Sequence, residues 1–138
     1  MKPILIDSGP MIALFNRADR YFNASVQFMR SNKRPLVTSI ANVTEAVYLL
    51  EYSKQAQADY LKWIGSSTII IEKIESVDLL DIHTLFEKYH DVPMDFADAC
   101  IVYLAERLGT NEIVTIDSDF DIYRLKGKKT FKNLLISK

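Results

Sequence analysis

Two features of the sequence predict an α/β fold, a three-layer α/β/α sandwich around a parallel sheet of four to five strands. Short apolar runs alternate along the chain with stretches of helical periodicity. Those runs are also apolar throughout, with no in-out alternation, as expected of strands covered by helices on both faces. The 138 residues are 49% hydrophobic, enough for one domain over residues 1–138 that buries about two-thirds of its unfolded surface.

The elements follow in order. Pro3-Ile4-Leu5-Ile6 reads as a buried strand that ends at the turn Asp7-Ser8-Gly9-Pro10. Ser8 is expected to cap the next helix, with Pro10 in its first turn. Asp19 to Ser31 is helical, with Phe22, Val26 and Met29 on one face. Pro35 to Thr38 forms a second strand, and Ser39 caps a helix with Val43, Val47 and Leu50 on its apolar side. Lys54 to Ile64 is a further helix, which Gly65 is placed to close in a left-handed conformation. The β-branched run Thr68 to Ile71 is a third strand. Ser76 to Tyr89 is a helix with Leu79, Ile82, Leu85 and Phe86 aligned. Pro93 and Asp95 open another helix, which runs to Leu108 and stops at Gly109. Ile113 to Ile116 is the fourth strand, directly followed by Asp117, and Thr130 to Ile136 is a short edge strand.

Several classes are excluded at once. No run approaches 18 apolar residues, so no membrane-spanning helix is expected. The start MKPILIDSGPMIALF carries an acid at Asp7 and lacks a signal-peptide layout, which points to a cytoplasmic setting. A lone Cys100 precludes an internal disulfide or a zinc site built on several cysteines. It reads as a small buried residue. His83 and His90 read as surface histidines on a helix. The net charge of −1 hides an asymmetry: from Asp121 onward one acid faces six bases, whereas Glu72 to Asp119 holds twelve acids and three bases. The basic segment with Arg124, Lys126, Lys128 and Lys129 suits either a solvated surface or a phosphate backbone. Tyr21, Phe22 and Trp63 are able to stack on bases, and core packing is the preferred reading for all three.

The acids carry the functional signal. Open parallel sheets bind ligands outside the carboxyl ends of their strands, where strand order reverses. Asp7 and Asp117 directly follow strands one and four, and face one crevice if those strands are neighbours. Glu45 sits in the second turn of a helix, among Val43, Ala46 and Val47. Asp95 and Asp98 share one face of a first turn. Each has an ordinary role available: Asp95 and Asp98 as a capping pair, Asp7 and Asp117 as turn formers, Glu45 as a surface residue. Together they need a counter-charge, because two carboxylates ~4 Å apart repel by up to about 4 kcal/mol at an effective dielectric of 20. Mg²⁺ or Mn²⁺ are the usual partners of all-oxygen sites.

With these pieces in order, the chain resembles the PIN-domain ribonucleases, including VapC-type toxins of toxin–antitoxin pairs. The matching segments are Ile4-Leu5-Ile6-Asp7-Ser8-Gly9, Thr44-Glu45-Ala46, Met94-Asp95-Phe96-Ala97-Asp98-Ala99 and Thr115-Ile116-Asp117-Ser118-Asp119-Phe120. The resemblance spans nearly the whole chain. It implies a PIN-like fold and the family's four acids at Asp7, Glu45, Asp98 and Asp117. Asp95 and Asp119 are implied as additional acids that help hold metal, with the hydroxyls of Ser8 and Thr115 beside the site. It further implies metal-dependent hydrolysis of RNA to a 5′-phosphate and a 3′-hydroxyl. Asp7, Asp98 and Asp117 are the leading ligands, and Glu45 either binds metal through water or orients the nucleophile. An antitoxin protein and a homodimer are the implied partners, and helices bearing Phe15, Tyr48, Leu49 and Tyr52 are candidate contact surfaces.

Two alternatives remain. A PIN ribonuclease of RNA processing or turnover would carry the same acids. An aspartate-based phosphatase or phosphotransferase also places an Asp after strand one, but the haloacid-dehalogenase type wants a second Asp where Gly9 stands.

Overall fold

In the computed structural model, which describes residues 1–136, β1 (Ile4–Ile6) lies at the centre of a five-stranded sheet. The strand order is β3-β2-β1-β4-β7, with β2 (Leu36–Ser39), β3 (Ile70–Glu72), β4 (Glu112–Val114) and β7 (Lys132–Asn133), and every pairing is parallel. Six helices connect and cover it: α1 (Ser8–Ala13), α2 (Phe22–Ser31), α3 (Ile40–Leu49), α4 (Lys54–Ser66), α5 (Asp78–Lys88) and α6 (Phe96–Leu108). A small antiparallel ribbon of β5 (Arg124–Leu125) and β6 (Lys129–Thr130) follows the fourth strand.

The three inner strands, β2, β1 and β4, are buried on both faces, which is why they read as apolar runs. Leu5, Val37 and Ile113 point into one core with Ile101, Leu104 and Tyr123. Ile4, Ile6, Leu36 and Val114 point into the other with Met11, Tyr60 and Ile64. Strand order runs outward from β1 toward β2 and β3 on one side and toward β4 on the other, so the reversal point lies between β1 and β4. The Leu5–Ile113 and Ile6–Val114 register sets Asp7 level with the residues that follow β4. The Asp7 amide donates to the Val114 carbonyl at 3.0 Å.

Several expectations are corrected. Asp7, not Ser8, caps α1, because its carboxylate accepts the Ser8 amide. Asp19 lies outside α2; it accepts the Tyr21 amide in a turn before the helix. Gly65 sits within α4, which continues to Ser66, since Gly65 does not adopt positive φ. β3 lies two residues later than the β-branched run suggested at its start, and as an edge strand it leaves Ile70 and Ile71 exposed. On α5 only Ile82 is buried, with Leu79 and Phe86 exposed, because this helix packs along one narrow line on α6. The single strand expected from Thr130 to Ile136 is two: β6 pairs with β5, and β7 joins the main sheet. Gly109 does close α6 in a left-handed conformation, with φ +66°.

Candidate metal centre

The pocket at the reversal point is about 240 Å³ and is lined by Asp7, Glu45, Asp95, Asp98 and Asp117, together with Ser8, Ile116 and Asp19. Carboxylate oxygens of Asp7, Asp98 and Asp117 lie within 4.8 Å of one another. Acids separated by up to 110 positions in sequence therefore converge because β1, β4 and the start of α6 end at the same edge of the sheet.

Asp7 is held by three donors. Its Oδ1 accepts the Ser8 amide at 2.8 Å and the Asn42 side-chain amide at 3.1 Å, and its Oδ2 accepts the Thr115 hydroxyl at 2.8 Å. Thr115 also accepts the Asp117 amide at 3.0 Å, so one hydroxyl links Asp7 at the end of β1 to Asp117. Asp117 lies three residues beyond β4, because that strand ends at Val114 and not at Ile116 as expected. Asp117 in turn caps the turn Ser118–Asp121 by accepting the Asp119 amide. Asp98 and Asp95 form a reciprocal capping box at the start of α6. The buried Tyr123 hydroxyl lies 3.2 Å from Asp98 Oδ2 and 3.1 Å from the Pro93 carbonyl. Gly9 is needed here for space: a Cβ would fall 2.5 Å from the Ile116 side chain that forms one wall of the pocket.

The other predicted acids are arranged around this trio. Glu45 projects from α3 and accepts a short hydrogen bond from the Ser8 hydroxyl. Asp95 lines the pocket from its cap position. Asp119 lies beside Asp117 but outside the trio. The basic segment is elsewhere. The Lys126 amide donates to Glu106 near the far end of α6, and Lys126 and Lys129 border a hollow with Gly109 and Thr110. Eight residues of helix between Asp98 and Glu106 correspond to ~12 Å. Arg124 donates to the backbone carbonyls of Asp121 and Tyr123, and Lys128 is exposed in the β5–β6 turn. Sequence reading missed Asn42, Tyr123 and Asp19. Only Asn42 carries a local sign, three residues after the cap Ser39, whose hydroxyl it engages.

Electrostatics show what the pocket lacks. Burial raises the Asp7 carboxyl to about 6 against the hydrogen bonds from Thr115 and Ser8, with the charges of Asp117 and Asp95 adding to the rise. Burial, then the charges of Asp95 and Asp7, raises Asp98 to about 8. Glu45 moves upward for the same reasons, burial first. Among the described residues, none of the ion pairs within 4.0 Å involves Asp7, Asp98 or Asp117. The donor set is oxygen-only and negatively charged, which fits a hard divalent cation.

The PIN domain family model matches residues 4–126. The chain is a PIN-domain protein. PIN domains are metal-dependent nucleases, and the acid pocket is the feature of this chain that such chemistry requires. Among solved structures, the fold is similar to that of Mycobacterium tuberculosis VapC20, described as a sarcin-ricin loop cleaving toxin. The TM-score is 0.80 at 18% identity, over 86% of this chain and 93% of that one. Comparison with curated protein sequences gives no significant match. No helix among the described residues is long and apolar enough to cross a membrane.

Proposed function

We propose that this PIN-domain protein is an endoribonuclease that cuts RNA in the cytoplasm as the toxin of a toxin–antitoxin pair, with the nuclease formed by one domain. The observation that carries the nuclease reading is the convergence of Asp7, Asp98 and Asp117 within 4.8 Å, with no cation among the described ion pairs to balance them. In this reading Asp7, Asp98 and Asp117 hold Mg²⁺ or Mn²⁺, with Asp95 and Asp119 nearby as further acids. A divalent cation in such a site lowers the pKa of water and stabilises charge on a phosphate. Asn42 and Thr115 fix both oxygens of Asp7, and Tyr123 orients Asp98. Glu45, with its raised pKa, is placed to accept a proton from the attacking water. In-line attack then leaves a 5′-phosphate and a 3′-hydroxyl.

Arg124, Lys126, Lys128 and Lys129 hold the RNA backbone outside the pocket in this proposal, so affinity falls with rising salt. The toxin reading is supported by the shared fold with VapC20 and by an apolar surface beside the acids. Ile40, Tyr48, Leu49, Tyr52 and Phe96 are each at least 46% exposed, a surface suited to an antitoxin segment or to a second copy of the chain in a homodimer. Phe15, also considered for that surface, packs edge-on against Tyr60 and Trp63 instead.

The deciding experiment compares wild type with Asp98→Asn on single-stranded RNA under Mg²⁺ or Mn²⁺. Loss of cleavage with the fold intact supports the reading, and undiminished cleavage refutes it. Growth arrest on expression, relieved by a small partner protein, separates a toxin from a ribonuclease of RNA processing.

A further inference from the structure

A second cavity, about 220 Å³, adjoins the acid pocket, and Ile116 and Asp117 line both. Its walls are mixed, with Tyr21, Phe120 and Phe131 beside Ile113, Ile116 and Ile136. Phe120 is buried, which leaves Tyr21 and Phe131 as the accessible rings. Phe120 and Phe131 meet edge to face with centroids 5.5 Å apart, and the half-buried Tyr21 lines the same space. Ser118 and Asp117 contribute polar edges. The Asn133 amide also borders it but is engaged with Thr115 and Leu135, so it frames the cavity.

The two cavities are mechanically joined. The Tyr21 amide donates to Asp19 at 2.8 Å, and Asp19 lines the acid pocket, so one short loop borders both. Ile116 is seated on Gly9, where a Cβ would collide with it, which fixes the partition between them.

From this arrangement we infer that the second cavity is a nucleobase subsite, which receives the base next to the phosphate held at the acids. The inference rests on the ribonuclease reading and names how that site chooses its substrate. A flat heterocycle with polar edges matches two accessible rings, Tyr21 and Phe131, set in an apolar wall with a polar rim, because single-stranded RNA is recognised by stacking and by hydrogen bonds to base edges. A nucleotide also spans the required partition, since its base and phosphate lie on opposite ends of one sugar. An apolar side chain of a protein partner would leave the rim without a purpose.

The test uses the full chain and two readouts. Each of the four ribonucleoside 5′-monophosphates is titrated with Mg²⁺ while amide resonances are followed by NMR. Cleavage of short homopolymeric oligoribonucleotides of each base is measured with Mn²⁺ for wild type, Tyr21→Leu and Tyr21→Phe. At least one nucleotide should shift the amides of Tyr21, Ser118 and Phe131. Tyr21→Leu should lower kcat/KM about ten-fold or more on the preferred base and flatten the preference. Tyr21→Phe should retain both, and the Mn²⁺-induced rise in Tm should be the same in all three proteins. The subsite is overturned if Tyr21→Leu matches wild type on every oligonucleotide, or if no nucleotide moves those amides. Nucleotide binding at these amides without RNA cleavage by wild type would sink the ribonuclease reading and leave the subsite standing. Cleavage by wild type without any nucleotide response would do the reverse.

Discussion

The two ends of the sheet treat their acids in opposite ways. At the amino end of β4, Glu112 pairs with Arg34 at 2.7 Å, and the hydrogen bond from that guanidinium lowers its pKa. Away from the acid pocket, beside the last residue of β3, Asp78 is likewise lowered, first by the Tyr103 hydroxyl and also by Arg107, which pairs with Glu72 as well. At the carboxyl end, Asp7 and Asp98 are more deeply buried and are pushed the other way, to about 6 and about 8. The same residue types thus serve two purposes. Acids matched with cations hold elements together, whereas the cluster at the reversal point is oriented by neutral donors and has no ion-pair partner among the described residues. Such an arrangement lowers the stability of the metal-free protein and is relieved by a divalent cation.

The contrast is open to attack in several ways. The largest effect belongs to the unmatched end: Asp7→Asn should lower cleavage by about 100-fold or more, given that loss of mere supporting contacts at metal sites costs 10–100-fold. Its CD spectrum should match wild type. Next comes the neutral support: Asn42→Ala should weaken Mn²⁺ binding by about ten-fold, measured by calorimetry, because it removes one of the three donors that hold Asp7. A full-affinity Asn42→Ala protein would remove Asn42 from the account.

The pH dependence has a definite sign. Asp7 and Asp98 have folded pKa values above the 3.8 of the unfolded chain. The unfolded state therefore releases these protons first as pH rises, and stability falls. The Tm of metal-free protein should drop between pH ~4 and ~8, with the drop reduced in Asp98→Asn. A rise over that window would mean that other groups dominate. The smallest effect lies at the matched end. Arg34→Ala should cost about 1 kcal/mol or less, as a partly exposed ion pair does, and leave the kcat of RNA cleavage unchanged.

How much of this was legible beforehand follows from the range of each interaction. The strands were readable because burial on both faces writes itself as an apolar run, and Asp7 and Asp117 were readable because they follow those runs directly. The capping box of Asp95 and Asp98 is local and was equally visible. Asn42 and Tyr123 were not, since each contacts an acid 25 or more positions away. The place of Asn42 after the cap Ser39 marks it as a helix-start residue and not as a partner of Asp7, and nothing near Tyr123 marks it. Gly65 misled for a related reason: a glycine closes a helix only where the next residues leave it, and here Ser66 continues α4. The basic segment follows Asp117 closely in sequence, yet the β5–β6 ribbon carries Lys126 and Lys129 to the far end of α6. Proximity along the chain was a poor guide there because a turn intervenes.

The most direct measurement is a thermal melt of wild type and Asp98→Asn titrated with Mn²⁺ at neutral pH. An unmatched acid cluster that binds a cation predicts a Tm that climbs with Mn²⁺ in wild type. It also predicts an Asp98→Asn protein that starts higher without metal and gains little from it. Equal gains in both proteins, or none in either, would contradict the claim that these carboxylates, unpaired with any cation of the described residues, take one from solution.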